Sequence, residues 1–210
     1  MIWNKNDNSD GLMMPLDPDD QPPAGQGPYQ EQVRPPVAAK MPEKVAQGVF
    51  CTGAIVLEGP EEFVLDFVQG AARPPRVGAR IILSPRVMGQ FVNALRDNLR
   101  RYSEAFGSPR EMPKPPQEHR RSIHEIYDDL KMTDDQLVGS YANTVMIGHT
   151  PAEFFMDFIA RFFPAAAVAA RIYMSAPQVP RMLETMAGSL AQYQQRRQKM
   201  PPPEPPPEQA

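Results

Sequence analysis

The sequence predicts an α+β protein: a duplicated β-β-β-α unit with antiparallel strands and one helix per copy, forming a pseudo-two-fold body with disordered Pro-rich tails. Three observations predict it. First, the stretch from Gly48 to Tyr102 recurs from Gly139 to Tyr193 at a constant offset of 91, without a gap. PEEFVLDF (Pro60 to Phe67) becomes PAEFFMDF (Pro151 to Phe158), and VGARIILS (Val77 to Ser84) becomes VAARIYMS (Val168 to Ser175). Packed elements resist insertions that loops accept, so an ungapped register marks a repeated structural unit. Second, each copy passes from period-2 alternation to helical spacing. Third, the 26 prolines concentrate at the two ends and in the connector, which sets linkers apart from core.

In chain order, residues 1–40 have few large apolar side chains and read as a disordered tail. The first repeat spans 41–107. Phe50 to Leu57 is β-rich and predicts a single strand, ended by the Gly59-Pro60 turn. Glu62 to Val68 alternates, with Phe63, Leu65 and Phe67 on one face and Asp66 on the other. After the Pro74-Pro75 loop, a third strand places Val77, Ala79, Ile81 and Leu83 together. Ser84-Pro85 supplies an N-cap and a first helical residue, and Gly107 a stop. Val87, Met88, Phe91, Val92, Leu95, Leu99, Tyr102 and Phe106 give this helix an apolar stripe, expected to cover its own sheet.

Residues 108–131 form a Pro-rich linker that carries a short helix at SIHEIYDDL (Ser122 to Leu130). The second repeat spans 132–198, with strands at Tyr141–Ile147, Glu153–Ile159 and Val168–Met174. Its helix lacks the Ser-Pro start. Pro180 puts the beginning late, near Val179, and Gly188 weakens the interior. Residues 199–210 are a Pro-rich tail.

At PEEFVLDF, ARIILSP and RRYSEAFG the chain resembles a family of small bacterial proteins catalogued only as a domain of unknown function, here in two tandem copies. Residues 48–107 match the pattern; residues 139–193 depart from it at Ala176 and Pro180. The resemblance implies a fold and no activity.

Composition narrows function by exclusion. The formal net charge is −3, so the whole chain is neither a polyanion nor a nucleic-acid-coating cation. The one cysteine, Cys51, rules out an intramolecular disulfide and a thiolate cluster, and its small counterpart Ala142 predicts a buried, inert thiol. No secretory signal is read at the N-terminus, no run is apolar enough to span a bilayer, and the expected location is cytoplasmic. His119, His124 and His149 lack metal-ligand spacing, and His149 is expected to face solvent. No catalytic residue, metal site or cofactor site is predicted.

Two features remain. Asp66 and Arg80 recur as Asp157 and Arg171; a hairpin centred near Arg73 sets each acid opposite its arginine. These are read as repeated structural ion pairs, the sharper alternative being a polar ligand site assembled from both copies. Arg73, Arg76, Arg86, Arg96, Arg100 and Arg101 belong to a run of seven arginines against one acid, a candidate surface for an anionic partner. The function expected is a non-enzymatic structural or protein-interaction module with a protein partner. The alternative is a binder of an anionic partner such as nucleic acid, through those arginines. Self-association is compatible with both readings.

Overall fold

The structure is a computed structural model that describes residues 39–113, 122–162 and 165–199. The expected tails lie outside these residues, except Ala39, Lys40 and Lys199. The described chain is mixed α+β, with two four-stranded sheets and five α-helices.

Each copy contributes four strands, not three. The run expected as one strand divides at Thr52 into β1 (Val49–Cys51) and β2 (Gly53–Glu58). β3 (Phe63–Gln69) and β4 (Arg76–Leu83) follow. The second copy repeats the series as β5 (Ser140–Tyr141), β6 (Thr144–His149), β7 (Glu153–Phe162) and β8 (Ala165–Ser175).

The extra strand in each copy is exchanged. β1 pairs in parallel with β8, giving the order β1-β8-β7-β6, while β5 pairs in parallel with β4, giving β2-β3-β4-β5. The pairings are reciprocal at the sequence offset: Phe50 lies opposite Tyr173, and Ile82 opposite Tyr141. The same holds for two isolated parallel bridges, Lys40 with Ala167 and Lys131 with Arg76.

Thr52 and Asn143 are the pivots. The Thr52 amide donates to the Val68 carbonyl (2.8 Å), and its hydroxyl accepts from the Gly70 amide (2.8 Å). The Asn143 amide donates to the Ile159 carbonyl (3.0 Å), and its side chain exchanges two hydrogen bonds with the Arg161 backbone. A short polar side chain that bonds to a neighbouring backbone competes with continued pairing and turns the chain.

The inner faces carry the expected stripe. Phe63, Leu65, Phe67, Ile81 and Leu83 share one core with Phe154, Met156, Phe158, Ile172 and Met174. Val77 departs from that face. The β3–β4 register shifts between Phe67 and Val68, so Val77 pairs with Val68 and lies outside the central cluster. Gly78 is the bulged residue, and an equivalent bulge in β7–β8 leaves Ala169 unpaired. There the outward face carries a small cluster of Ile159, Ala166 and Val168, covered by Ala39, Met41 and Val45.

Preceding β1 and β5 are two short helices, α1 (Glu43–Ala46) and α4 (Asp134–Val138). α2 (Pro85–Phe106) starts at the Ser84 cap, whose side chain accepts from the Val87 amide, and ends at Gly107. α3 (Ile123–Asp129) opens on a Ser122–Glu125 capping box. The second long helix starts late, as Pro180 requires: a 3-10 turn (Ala176–Gln178) leads into α5 (Val179–Lys199), which continues through Gly188. Neither long helix chiefly covers its own sheet. α2 packs mainly against α5 and β6, and α5 against α2 and β2. The helix tips lock onto the other copy's turn: Tyr102 donates to the Pro151 carbonyl (2.8 Å) and Tyr193 to the Pro60 carbonyl (3.2 Å). Tyr102 also stacks obliquely on Phe154, and Tyr193 on Phe63.

Candidate functional site

β3 and β4 place Asp66 directly opposite Arg80, and β7 and β8 place Asp157 opposite Arg171. Each pair is bidentate. Arg80 Nε and Nη2 donate to Asp66 at 2.8 and 2.7 Å; Arg171 Nε and Nη2 donate to Asp157 at 2.6 and 2.7 Å. Both carboxylates are buried. The hydrogen bond to its aspartate is the largest influence on each guanidinium and raises its pKa above the ordinary arginine value.

The pairs differ in their outer partners. α3 lays Tyr127 over the first, where its hydroxyl donates to Asp66 Oδ2. Burial, and then this hydrogen bond, raise the Tyr127 pKa above the usual phenol value. Arg80 Nη1 also donates to the Leu137 carbonyl (3.3 Å), tying α4 to β4.

Arg80 and Arg171 line the same cavity, of about 260 Å³. Its floor is made of small residues on the two central strands, among them the bulge positions Gly78 and Ala169. Its walls come from α1 and α4 and the chain leading to the exchanged strands, with Lys44 opposite Asp135 in the repeat. Every lining residue from one copy is matched by its counterpart from the other, 91 positions away, so both copies contribute equally to the cavity. Gly48 and Gly139 make the close approach feasible. Both have positive φ (64° and 74°). A Cβ on Gly48 would lie 2.9 Å from the Arg171 side chain, and one on Gly139 2.8 Å from that of Arg80.

The run of arginines does not form one surface. Arg73 and Arg76 lie at the hairpin end of β4, and Arg76 donates to Gln69 (2.6 Å). Seven steps along the strand, roughly 23 Å, separate Arg76 from Leu83, next to the Ser84 cap. Arg86, Arg96, Arg100 and Arg101 are exposed on α2, where Arg96 donates to Asn93 (2.9 Å) and Arg100 pairs with Glu104 (2.7 Å). From α5, Arg196 and Arg197 form ion pairs with Glu58 and Glu61 of the first copy.

The Cys51 thiol is fully buried, and burial pushes its pKa up to about 12. His149 does not face solvent. It is half-buried, with its ring 5.3 Å from Phe154 and 5.6 Å from Tyr102, because the tip of α2 crosses onto β6. His124 is exposed on α3, and His119 lies outside the described residues. Among the described residues no His, Cys, Asp and Glu side chains are grouped to hold a metal ion, and no helix is long and apolar enough to cross a membrane.

Tyr127, Gly48 and Gly139 had no part in the sequence reading of the site. The glycines had a signal, since they recur at the repeat offset just before each first strand. Tyr127 had none, because Pro36 stands at its offset in the first copy.

The family model for proteins of unknown function, DUF3467, matches the chain twice, over residues 17–111 and 111–200. The chain belongs to the DUF3467 family. The two DUF3467 matches run in tandem and meet at residue 111, just past the end of α2. None of the curated proteins is similar enough to count as a match.

Proposed function

We propose that this DUF3467 chain is a non-enzymatic structural or protein-interaction module, a pseudo-two-fold body in which two copies are fused. One observation carries the reading: the reciprocal exchange of β1 and β5 between the sheets, which makes each copy part of the other's fold. The strongest polar groups serve the same end. Asp66 and Asp157 are buried and committed to Arg80 and Arg171, so they hold strands together and are poorly placed as acids or bases.

A second reading, binding of an anionic partner such as nucleic acid, is favoured by the exposed α2 arginines Arg86, Arg96, Arg100 and Arg101. Gel filtration of the native chain from its own cells, with and without nuclease, separates the two. The interaction module predicts elution well above 23.5 kDa that nuclease leaves unchanged. A nuclease-sensitive shift supports the second reading, and elution at the monomer mass in both conditions overturns the first.

A further inference from the structure

The cavity between the repeats has more charge chemistry than a structural seam requires. Three cationic side chains line it, Lys44, Arg80 and Arg171, with Asp135 the one acid in the lining and Asp66 and Asp157 each bonded to one of the two guanidiniums. Asp66 and Asp157 occupy the Nε–Nη2 edge of each guanidinium, which fixes its plane. A guanidinium held this way has N–H groups beyond those given to its aspartate, Arg80 giving one Nη1 hydrogen to the Leu137 carbonyl, and loses little side-chain entropy when it binds an anion. At the two bulges the floor carries only small residues, Gly78 and Ala169. Bulges recur beside binding sites because they re-aim the strand and end its pairing. At about 260 Å³ the space is smaller than the range of roughly 300–1,000 Å³ typical of drug-sized ligands.

The geometry points to a binding site for one small anion, bearing phosphate or carboxylate oxygens, held between Arg80 and Arg171 in the cavity that both copies line. Lys44 adds a point charge from α1. Because both copies supply walls, an occupied site clamps them together and raises the stability of the whole body.

The test is thermal unfolding of the full chain with increasing inorganic phosphate or succinate, against sodium chloride at equal ionic strength. A saturable rise in melting temperature with one or both anions is expected, and which anion acts distinguishes a phosphate ligand from a dicarboxylate. Lys44→Glu, at an exposed position, should weaken the apparent affinity at least tenfold. Ala169→Leu, which fills the floor while sparing both ion pairs, should abolish it. Arg101→Glu, on α2 and away from the cavity, should leave it unchanged. Absence of a saturable effect with both anions overturns the site. So does an effect that survives Lys44→Glu and Ala169→Leu in folded protein, or one lost equally in Arg101→Glu.

Discussion

Asp66 and Asp157 are the same residue in two surroundings, and their difference is measurable. Asp66 is fully buried beneath Tyr127, whereas Asp157 keeps 6% exposure and its partner Arg171 is more open than Arg80. Asp66→Ala should therefore cost about 3–5 kcal/mol, since it strands a desolvated guanidinium. Asp157→Ala should cost about 1–3 kcal/mol. Urea denaturation of the two variants checks the order; equal losses would mean that Tyr127 and α3 contribute nothing. Cys51 gives a pH signature. Its thiol is raised from 9.0 to about 12 in the folded chain, so the stability it lends is complete below pH 9. Above that the unfolded thiol ionises first, and the contribution is lost as pH rises toward 12. Tyr127 acts in the same direction from about pH 10 upward. Cys51→Ala, which copies Ala142, should flatten the alkaline fall in melting temperature between pH 9 and 12. An unchanged slope would show that the thiol is not what titrates.

Glycines separate the elements that needed the other copy from those that did not. Gly139→Ala puts a Cβ 2.8 Å from the Arg80 stem at a positive φ, and should cost at least about 1 kcal/mol. Gly188→Ala meets nothing within 4 Å inside α5 and should gain about 0.5–1 kcal/mol. Thermal melts of the two variants should shift in opposite directions; a destabilised Gly188→Ala would mean that α5 needs its glycine for packing. Such local features could be read from the sequence because they depend on near neighbours. The Ser84 cap, the Phe63–Leu65–Phe67 stripe, the late start after Pro180 and the Asp66–Arg80 register all belong to this class. What escaped was partner choice. Period 2 says that Phe50 and Cys51 are extended, and nothing in it says that they pair with Tyr173 and Met174. Period 3.6 gives α2 an apolar stripe without naming the sheet beneath it, and the bulge at Gly78 reversed Val77 by a single residue. A polar site shared by both copies was within reach of the repeated Asp–Arg pairs, but not the cavity itself, whose walls come from α1, α4 and the chain leading to the exchanged strands.

At the scale of the molecule, the two copies share the central core of the described residues. Phe67 and Phe158, from different copies, lie 5.4 Å apart in it, and Phe91 packs edge-on against Phe158 at 5.3 Å. Residues 38–200 should therefore unfold in one cooperative step, and Phe67→Ala should cost about 3–5 kcal/mol. A fragment of residues 120–200 alone lacks β1 beside β8 and α2 over β6, and leaves Phe154 and Phe158 uncovered. It should aggregate or stay partly unfolded until residues 38–113 are added, which calorimetry and light scattering can follow. Two separate transitions in 38–200, or a soluble folded 120–200 monomer, would contradict a shared core. The β1–β8 pairing has a mechanical consequence. The two strands run parallel, and the chain enters β1 at Val49 and continues beyond β8 into α5. Tension applied through the two termini would pull them in opposite senses along their length. The hydrogen bonds between Val49–Cys51 and Ile172–Met174 would then bear load together, in shear, and would not peel apart one at a time. Between two tethered ends, this short junction would act as a force-bearing clasp.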